Sequence, residues 1–583
     1  MLFGVFSVAF LLIAGRLTQI DVFGGTYMAA YWRGEVTRTV PLQGLRGAIL
    51  DRDGHLLAMS LSVNEVVADD LQIRQPAAEA AELAPVLGVS ASSLRPQLSQ
   101  RSGYVVIDRT ADAATAAKVS ALDAPGITVQ PASARRYPDG TLGAPVIGAV
   151  HADGSGASGL EYQYDRLLAG QSGQQIQLVG AAGEQIPGGI VKNNPAHPGT
   201  GLQLTLSRAL QYETEQALGA EIQASHSTWG SAVILDSKTG DILAMANMQA
   251  TSATDPTPVQ ASSNLAVSQV FEPGSVAKLA TFAGALSRNL ITPETVVNVP
   301  NQINIDGSTF HDAESHPDEN LTATQVLAQS SNIGTIKIAA KLGPENLYRY
   351  LTAFGFGSPT GLTFPGGSPG IVRPVSTWSP TAMGSVPIGQ DESVSVLQLA
   401  DAYNVVANGG VFVPPRLVQA ETEPNGLTKP LPAPATHRVI STAVAAELNS
   451  MLQQVVSSSG TAPAAAIPGY SVAGKTGTAN IPYLNKSGYQ PGAFMAVFAG
   501  MVPATNPAIT AVVALSHPQQ IYGGTVAAPV FAQIANDALR YLQVPPDQPL
   551  SGPTAFSTGP SFGAGLPTAP STASSASPPS AGG

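Results

Sequence analysis

Residues 271–278 read Phe-Glu-Pro-Gly-Ser-Val-Ala-Lys (FEPGSVAK), and the apolar residues Val276, Leu279, Phe282, Ala283 and Leu286 then recur at helical spacing. Pro273 and Gly274, just ahead of Ser275, mark a helix start. Three residues make about one helical turn, so Lys278 returns beside Ser275 on the same face. A lysine held there in apolar surroundings loses its charge more easily and can take the serine proton. The helix N-terminus offers N–H groups to an oxyanion, and serine becomes a nucleophile without histidine. Chance produces Ser-x-x-Lys often, and the plain alternative is an exposed lysine on a surface helix. Of the nine lysines, however, only Lys278 has a serine three residues before it.

On either side of this helix the chain reads as strands. A helix over Arg208–Ala224 leads into strands Ser231–Leu235 and Ile242–Ala246, joined by the turn Asp236–Asp241. Strands follow much later at Tyr470–Ala473, Met495–Val502 and Ile509–Leu515, with a closing helix over Pro529–Leu542. Two early strands, three late ones and a helical stretch between them predict an α+β domain. Its single antiparallel sheet draws strands from both ends and is covered by helices. From Val22 to Pro195 short alternating stretches, Gly/Pro turns and helical spacing over Ala77–Leu87 and Asp112–Leu122 predict a separate α+β module.

The chain has 583 residues, 11% of them charged, with a net charge of -11 and no cysteine. Disulfides, thiolate metal sites and a cysteine nucleophile are excluded, and no basic stripe exists to bind nucleic acid. The apolar run Leu2–Gly15, followed by Arg16, predicts a membrane anchor over 1–20 whose arginine snorkels to the interface. It lacks a basic leading region and a clear cleavage site, which favours an anchor over a cleaved signal and suggests a short cytoplasmic stub ahead of Met1. The resulting organisation is an anchor over 1–20, a non-catalytic pedestal over 21–195, the catalytic domain over 196–546, and a disordered Ser/Pro/Gly/Ala-rich tail over 547–583.

Two further elements make the Ser275–Lys278 signal specific: Ser330-Ser331-Asn332, expected where a helix meets a loop, and Gly-Lys-Thr-Gly-Thr at 474–478. Ser-x-x-Lys, Ser-x-Asn and Lys-Thr-Gly, in this order, resemble the constellation of penicillin-binding proteins and serine β-lactamases. Each piece has a chemical reason. Ser330 can relay a proton between Lys278, Lys475 and a leaving group, and Asn332 can hold a substrate amide. Lys475, Thr476 and Thr478 suit a terminal carboxylate. Gly477 lets the strand backbone come close, so that the N–H of Thr478 pairs with that of Ser275 as an oxyanion hole. A second Lys-Thr-Gly at 238–240 precedes the nucleophile and reads as a turn. Gly366–Gly370 mimics a hydrolase elbow, but Pro369 has no N–H to give an oxyanion. His311, Asp312, Glu314 and His316 read as a polar loop, not a metal site, and no cofactor is expected.

The likeness extends along nearly the whole chain. Arg46–Ala58, Arg135–Gly140 and Gly159–Gly170 resemble the boxes of the N-terminal pedestal of class B penicillin-binding proteins, and Tyr522–Phe531 resembles the closing segment of the septal, cell-division group. The resemblance implies a penicillin-binding transpeptidase fold on an elongated pedestal, behind one transmembrane helix, with the catalytic domain outside the bacterial cell membrane. It implies a D,D-transpeptidase that cross-links peptidoglycan stem peptides through a serine acyl-enzyme, is inhibited by β-lactams, and works with a glycosyltransferase partner and other division or elongation proteins. One stretch departs from the family's pattern: Asp391, Ser395 and Val396 stand where members typically show a second glycine and a Thr-Pro pair. The rival readings are an elongation-type enzyme, a D-Ala-D-Ala carboxypeptidase or β-lactamase, and a non-catalytic scaffold. No Glu-x-x-Leu-Asn lies between Asn332 and Lys475 to serve as a class A deacylation motif.

Overall fold

The computed structural model describes residues 2–19, 37–180, 185–483 and 485–549. Six antiparallel strands form the main sheet, in the spatial order Asp255–Gln260, Ile242–Ser252, Trp229–Asp236, Ile509–Ser516, Tyr489–Val502 and Ala473–Pro482. Early and late strands meet where Ala514 pairs with Ser231 and Val512 with Val233. Both faces are covered, so these strands are apolar at nearly every position instead of alternating. Val233, Leu235 and Val512 enter one core with the helix that follows the nucleophile, Lys278–Ser287. Ala232, Ile234 and Val513 enter the other, with the helices Arg208–Ser225 and Gly523–Tyr541. All twelve residues of the helix Val396–Ala407 are buried, and Ser395 caps it in a reciprocal box with Gln398.

Three expectations need correction. The edge strand Asp255–Gln260 was not foreseen; Pro256 and Pro258 obscure it in sequence, and an edge tolerates them. Tyr470–Ala473 is not a strand, since Tyr470 makes only an isolated bridge to Ile467; the strand is Ala473–Pro482 and carries the Lys-Thr-Gly residues themselves. Gly474–Thr478 shows no apolar period because this strand lies at the sheet edge and packs against the nucleophile turn. The last helix begins at Gly523 and keeps Pro529 in its second turn, at the loss of one backbone hydrogen bond.

In the N-terminal half, the helices Pro76–Leu87, Ala91–Gln97 and Ala113–Ala121 pack on the strands Leu56–Ala68, Val105–Ala111 and Ile127–Arg136. Leu83, Leu94 and Val119 fill the small core between them, each worth about 1.5–3 kcal/mol by burial. The sheet they cover continues out of this half. Leu56–Ala68 pairs with Ile49–Leu50, which runs parallel to Gly201–Leu204, which in turn pairs with Val418–Thr422. A hairpin from the catalytic half thus completes the pedestal's sheet.

The three boxes read as pedestal marks converge on one buried knot. Glu161, fully buried, accepts from Arg46 Nε at 2.6 Å and Arg135 Nε at 2.7 Å, while Arg46 Nη1 reaches Asp165 at 2.6 Å. Glu161 thus bridges two guanidinium groups, one on each carboxylate oxygen, through charge-assisted hydrogen bonds.

The N-terminal helix spans Leu2–Gln19 and exposes Phe6, Phe10, Leu11, Leu12, Ile13 and Leu17. Among the described residues no helix is long and apolar enough to cross a membrane. Of the tail expected to be disordered over 547–583, residues from 550 onward lie outside the described residues; its first residue, Asp547, instead belongs to the folded domain, accepting from the backbone N–H of Ser471 at 2.7 Å.

Candidate active site

The nucleophile turn differs in one instructive way from the sequence expectation. Gly274–Ala277 is a 3-10 turn, and the α-helix begins at Lys278, whose N–H bonds to the Ser275 carbonyl. In a 3-10 turn residues three apart eclipse, so Lys278 stacks over Ser275 more directly than an α-turn would place it. Tyr403, fully buried, donates its hydroxyl to the Val276 carbonyl at 3.0 Å and pins the turn from behind. The Ser275 hydroxyl is half-buried and has no hydrogen-bond partner among the described residues, leaving it open to the cleft.

Lys278 is fully buried, and its ammonium bonds to the Ser330 carbonyl at 2.6 Å, Asn332 Oδ1 at 2.9 Å and Ser330 Oγ at 3.4 Å. Lys475, also fully buried, reaches Ser330 Oγ at 2.8 Å, the Thr476 carbonyl at 3.1 Å and Thr476 Oγ1 at 3.3 Å. Ser330 therefore stands between two lysines. It does so in a left-handed backbone conformation, φ 62°, where the helix Ala323–Ala328 gives way to Asn332–Leu342, a geometry costing a non-glycine residue about 1 kcal/mol or more. Burial pushes the Lys278 ammonium down to about 7, opposed in part by the Asp312 carboxylate. Burial and the neighbouring Lys278 together drive Lys475 well below the ordinary lysine range.

The strand Ala473–Pro482 lies against the nucleophile turn with no room to spare. A Cβ on Gly477 would fall 2.9 Å from the Pro273 carbonyl oxygen, which explains glycine there. Thr461 and Thr476 share a hydroxyl hydrogen bond of 2.8 Å, and Gly523 N donates to Thr478 Oγ1 at 3.3 Å. Ser275, Ser330, Asn332, Thr476 and Thr478 line one cleft of about 610 Å³. All eight residues singled out in the sequence, Ser275, Lys278, Ser330, Asn332, Lys475, Thr476, Gly477 and Thr478, are thus brought to one place. The decoy Lys238–Gly240 sits in the turn between strands Trp229–Asp236 and Ile242–Ser252, where Asp236 Oδ1 accepts from the N–H groups of Lys238 and Thr239.

Three groups were not assigned to this site from the sequence: Asp312 and His316, read there as a polar loop, and Glu272. Asp312 accepts from Ser331 Oγ at 2.7 Å and from Ile333 N at 2.9 Å, and His316 Nε2 lies 3.2 Å from it. The polar loop is therefore part of the cleft's framework, and its His-Asp spacing was the signal available. Glu272 accepts from Tyr489 OH at 2.9 Å and from Asp391 N at 3.1 Å, joining the loop 389–392 to the hairpin beside the nucleophile. The departure at Asp391 also becomes intelligible: its φ is +61°, a conformation that suits glycine and that aspartate tolerates better than most residues. In place of the Thr-Pro pair, Ser395 supplies a helix cap.

The stretch 230–536 matches the family model of the penicillin binding protein transpeptidase domain, and 41–204 that of the penicillin-binding protein dimerisation domain. The chain is 34% identical over 568 residues to penicillin-binding protein PbpB of Mycolicibacterium smegmatis, covering 91% of this chain and 87% of that one. It is 32% identical over 550 residues to a probable peptidoglycan D,D-transpeptidase, PbpC, of Pseudomonas aeruginosa, covering 93% and 95%. The crystal structure of penicillin-binding protein 3 from Mycobacterium tuberculosis complexed with aztreonam matches with a TM-score of 0.68 at 31% identity, over 88% of this chain and 99% of that one.

Proposed function

This chain belongs to the class B penicillin-binding proteins, the peptidoglycan D,D-transpeptidases that act as serine acyl-transferases, and from that premise we propose how its own residues carry the reaction. The observation that supports the reading most is the line Lys278 Nζ, Ser330 Oγ, Lys475 Nζ, with separations of 3.4 and 2.8 Å. A neutral Lys278 takes the proton of Ser275 as its oxygen attacks the penultimate D-Ala carbonyl of a stem peptide. The backbone N–H groups of Ser275 and Thr478 hold the oxyanion. The carbon–nitrogen bond to the terminal D-Ala breaks, and its amine leaves with a proton delivered through Ser330. Lys475, Thr476 and Thr478 hold the terminal carboxylate, and Asn332 holds the peptide amide. An amine from a neighbouring strand then attacks the ester, forms the cross-link and returns the proton to Ser275. A β-lactam opened by Ser275 stops at the ester stage.

The reading extends to a septal role, supported by the likeness of Tyr522–Phe531 to that group. It extends also to a single-pass anchor in the bacterial cell membrane, supported by the exposed apolar side chains of Leu2–Gln19, with the catalytic domain outside. A glycosyltransferase partner, working with other division proteins, would supply the glycan strands. Intact mass of the protein during incubation with a penicillin tests the core of the reading. One adduct that persists for hours and is absent in Ser275→Ala is expected; an adduct that clears within minutes would replace transfer by hydrolysis, and no adduct would favour a scaffold.

A further inference from the structure

The loop 311–316 grips the same three-residue turn that Lys278 grips. Lys278 binds Ser330 and Asn332 through the Ser330 carbonyl and Asn332 Oδ1. Asp312 binds the residues that interleave with them, Ser331 through its hydroxyl and Ile333 through its N–H. The loop backbone adds a third tie, since Asn332 Nδ2 donates to the His311 carbonyl at 3.1 Å. Asn332 is thus held between a loop carbonyl and a lysine, and its orientation depends on where the loop sits.

We propose that Asp312 is a positioning residue of the acylation reaction, seating the Ser330–Asn332 turn against Lys278 and supplying the carboxylate that balances the buried lysine pair, with His316 as its modulator. The inference rests on the general-base role proposed above for Lys278. The charges around the pair are few. Lys475 faces Lys278 from the edge strand, and Lys337, on the helix Asn332–Leu342, instead turns its ammonium to the Asn298 carbonyl at 2.7 Å. Asp312 is faced by His316, which is raised above the ordinary histidine range by the Pro317 carbonyl, Asp312 and Glu319. Glu314 and Glu319 line the cleft beyond it.

The sign follows from charge. A carboxylate favours the lysine ammonium, while the reaction needs the neutral amine, so removing the negative charge lets Lys278 give up its proton, and so react, at lower pH. A protonated His316 opposes Asp312, so removing it does the reverse. Asp312→Asn keeps an acceptor for Ile333 N and a polar group beside Ser331, changing charge with little change of shape.

The test is the second-order rate of acylation of the full chain by a fluorescent penicillin between pH 5 and 9. In Asp312→Asn the acidic limb of the profile should move to lower pH by about one unit, with a smaller fractional loss on the plateau. In His316→Gln the limb should move the opposite way. A limb unmoved in Asp312→Asn, whether or not the plateau falls, overturns the proposal, because a purely structural residue lowers the plateau alone. Should Asp312→Asn fail to melt cooperatively, His316→Gln decides, and an unmoved or lowered limb there overturns it too. Lys278→Met keeps the two failures apart: a variant still acylating with the wild-type profile removes the base assignment itself, whereas an inert Lys278→Met beside an unshifted Asp312→Asn removes only the role of Asp312.

Discussion

The neck of this molecule sets two buried arginines against a buried and a partly exposed carboxylate; its cleft buries two lysines whose hydrogen-bond contacts, among the described residues, are only hydroxyl, amide and carbonyl oxygens. The first arrangement pairs every formal charge and ties three distant segments together. The second leaves like charges side by side and depends on one or both lysines giving up a proton. An arginine cannot do that at any ordinary pH, and a lysine can. The choice of cation therefore separates a joint from a reaction centre, although the cations of both are buried.

That contrast is open to attack. The largest effect should come from Lys278→Met, which fills the same space without a charge: acylation by penicillin should fall by about 10³- to 10⁴-fold. Its melting temperature should hold or rise, because an unfolded lysine is protonated below about 10.4 while the buried one is neutral above about 7, so the native lysine lowers stability at neutral pH. A large drop in melting temperature would mean that the cleft lysine is a structural tie after all. Next in size is Glu161→Gln, which strands the buried Arg135 guanidinium and leaves Arg46 with Asp165 alone, and should cost about 3–5 kcal/mol in denaturant melts. Acylation per folded molecule should stay within a few-fold of wild type; a loss as large as that of Lys278→Met would show that the neck acts on the chemistry. The smallest effect belongs to Asp165→Asn, the partly exposed arm of the same knot, at about 0.5–1 kcal/mol. Its carboxyl is held below the ordinary range despite burial, by Arg46 and the Gly156 N–H. The wild type should therefore lose this contribution as pH falls through the folded carboxyl's range, below about 4, and the variant should show no such loss. A cost equal to that of Glu161→Gln would erase the distinction between buried and exposed arms.

The reactive residues were legible because acyl-transfer chemistry restricts them to short fixed spacings: Ser275 to Lys278 in one turn, Ser330 to Asn332 in another, Lys475 to Thr478 along one strand. Strands buried on both faces, such as Trp229–Asp236 and Ile509–Ser516, were legible as apolar runs. The strand Ala473–Pro482 was misplaced because its chemistry demands Gly, Lys and Thr where periodicity looks for apolar side chains. Asp312 was seen but read as solvated loop, since its partners Ser331 and Ile333 lie some twenty residues on and nothing in the string announces the contact. The pedestal boxes were recognisable as strings, yet the ion pairs linking Arg46, Arg135 and Glu161 span far too much sequence to be read from it.

The pairing of Gly201–Leu204 with Val418–Thr422 carries a consequence for how the protein is made. The pedestal comes off the ribosome first, but one edge of its sheet waits for a strand synthesised roughly 200 residues later, a closure of high contact order. Until then that edge offers unpaired backbone groups to any passing chain. Biogenesis of the N-terminal half is therefore a period of guarded waiting, and it ends only when most of the transpeptidase half has emerged to supply the missing strand.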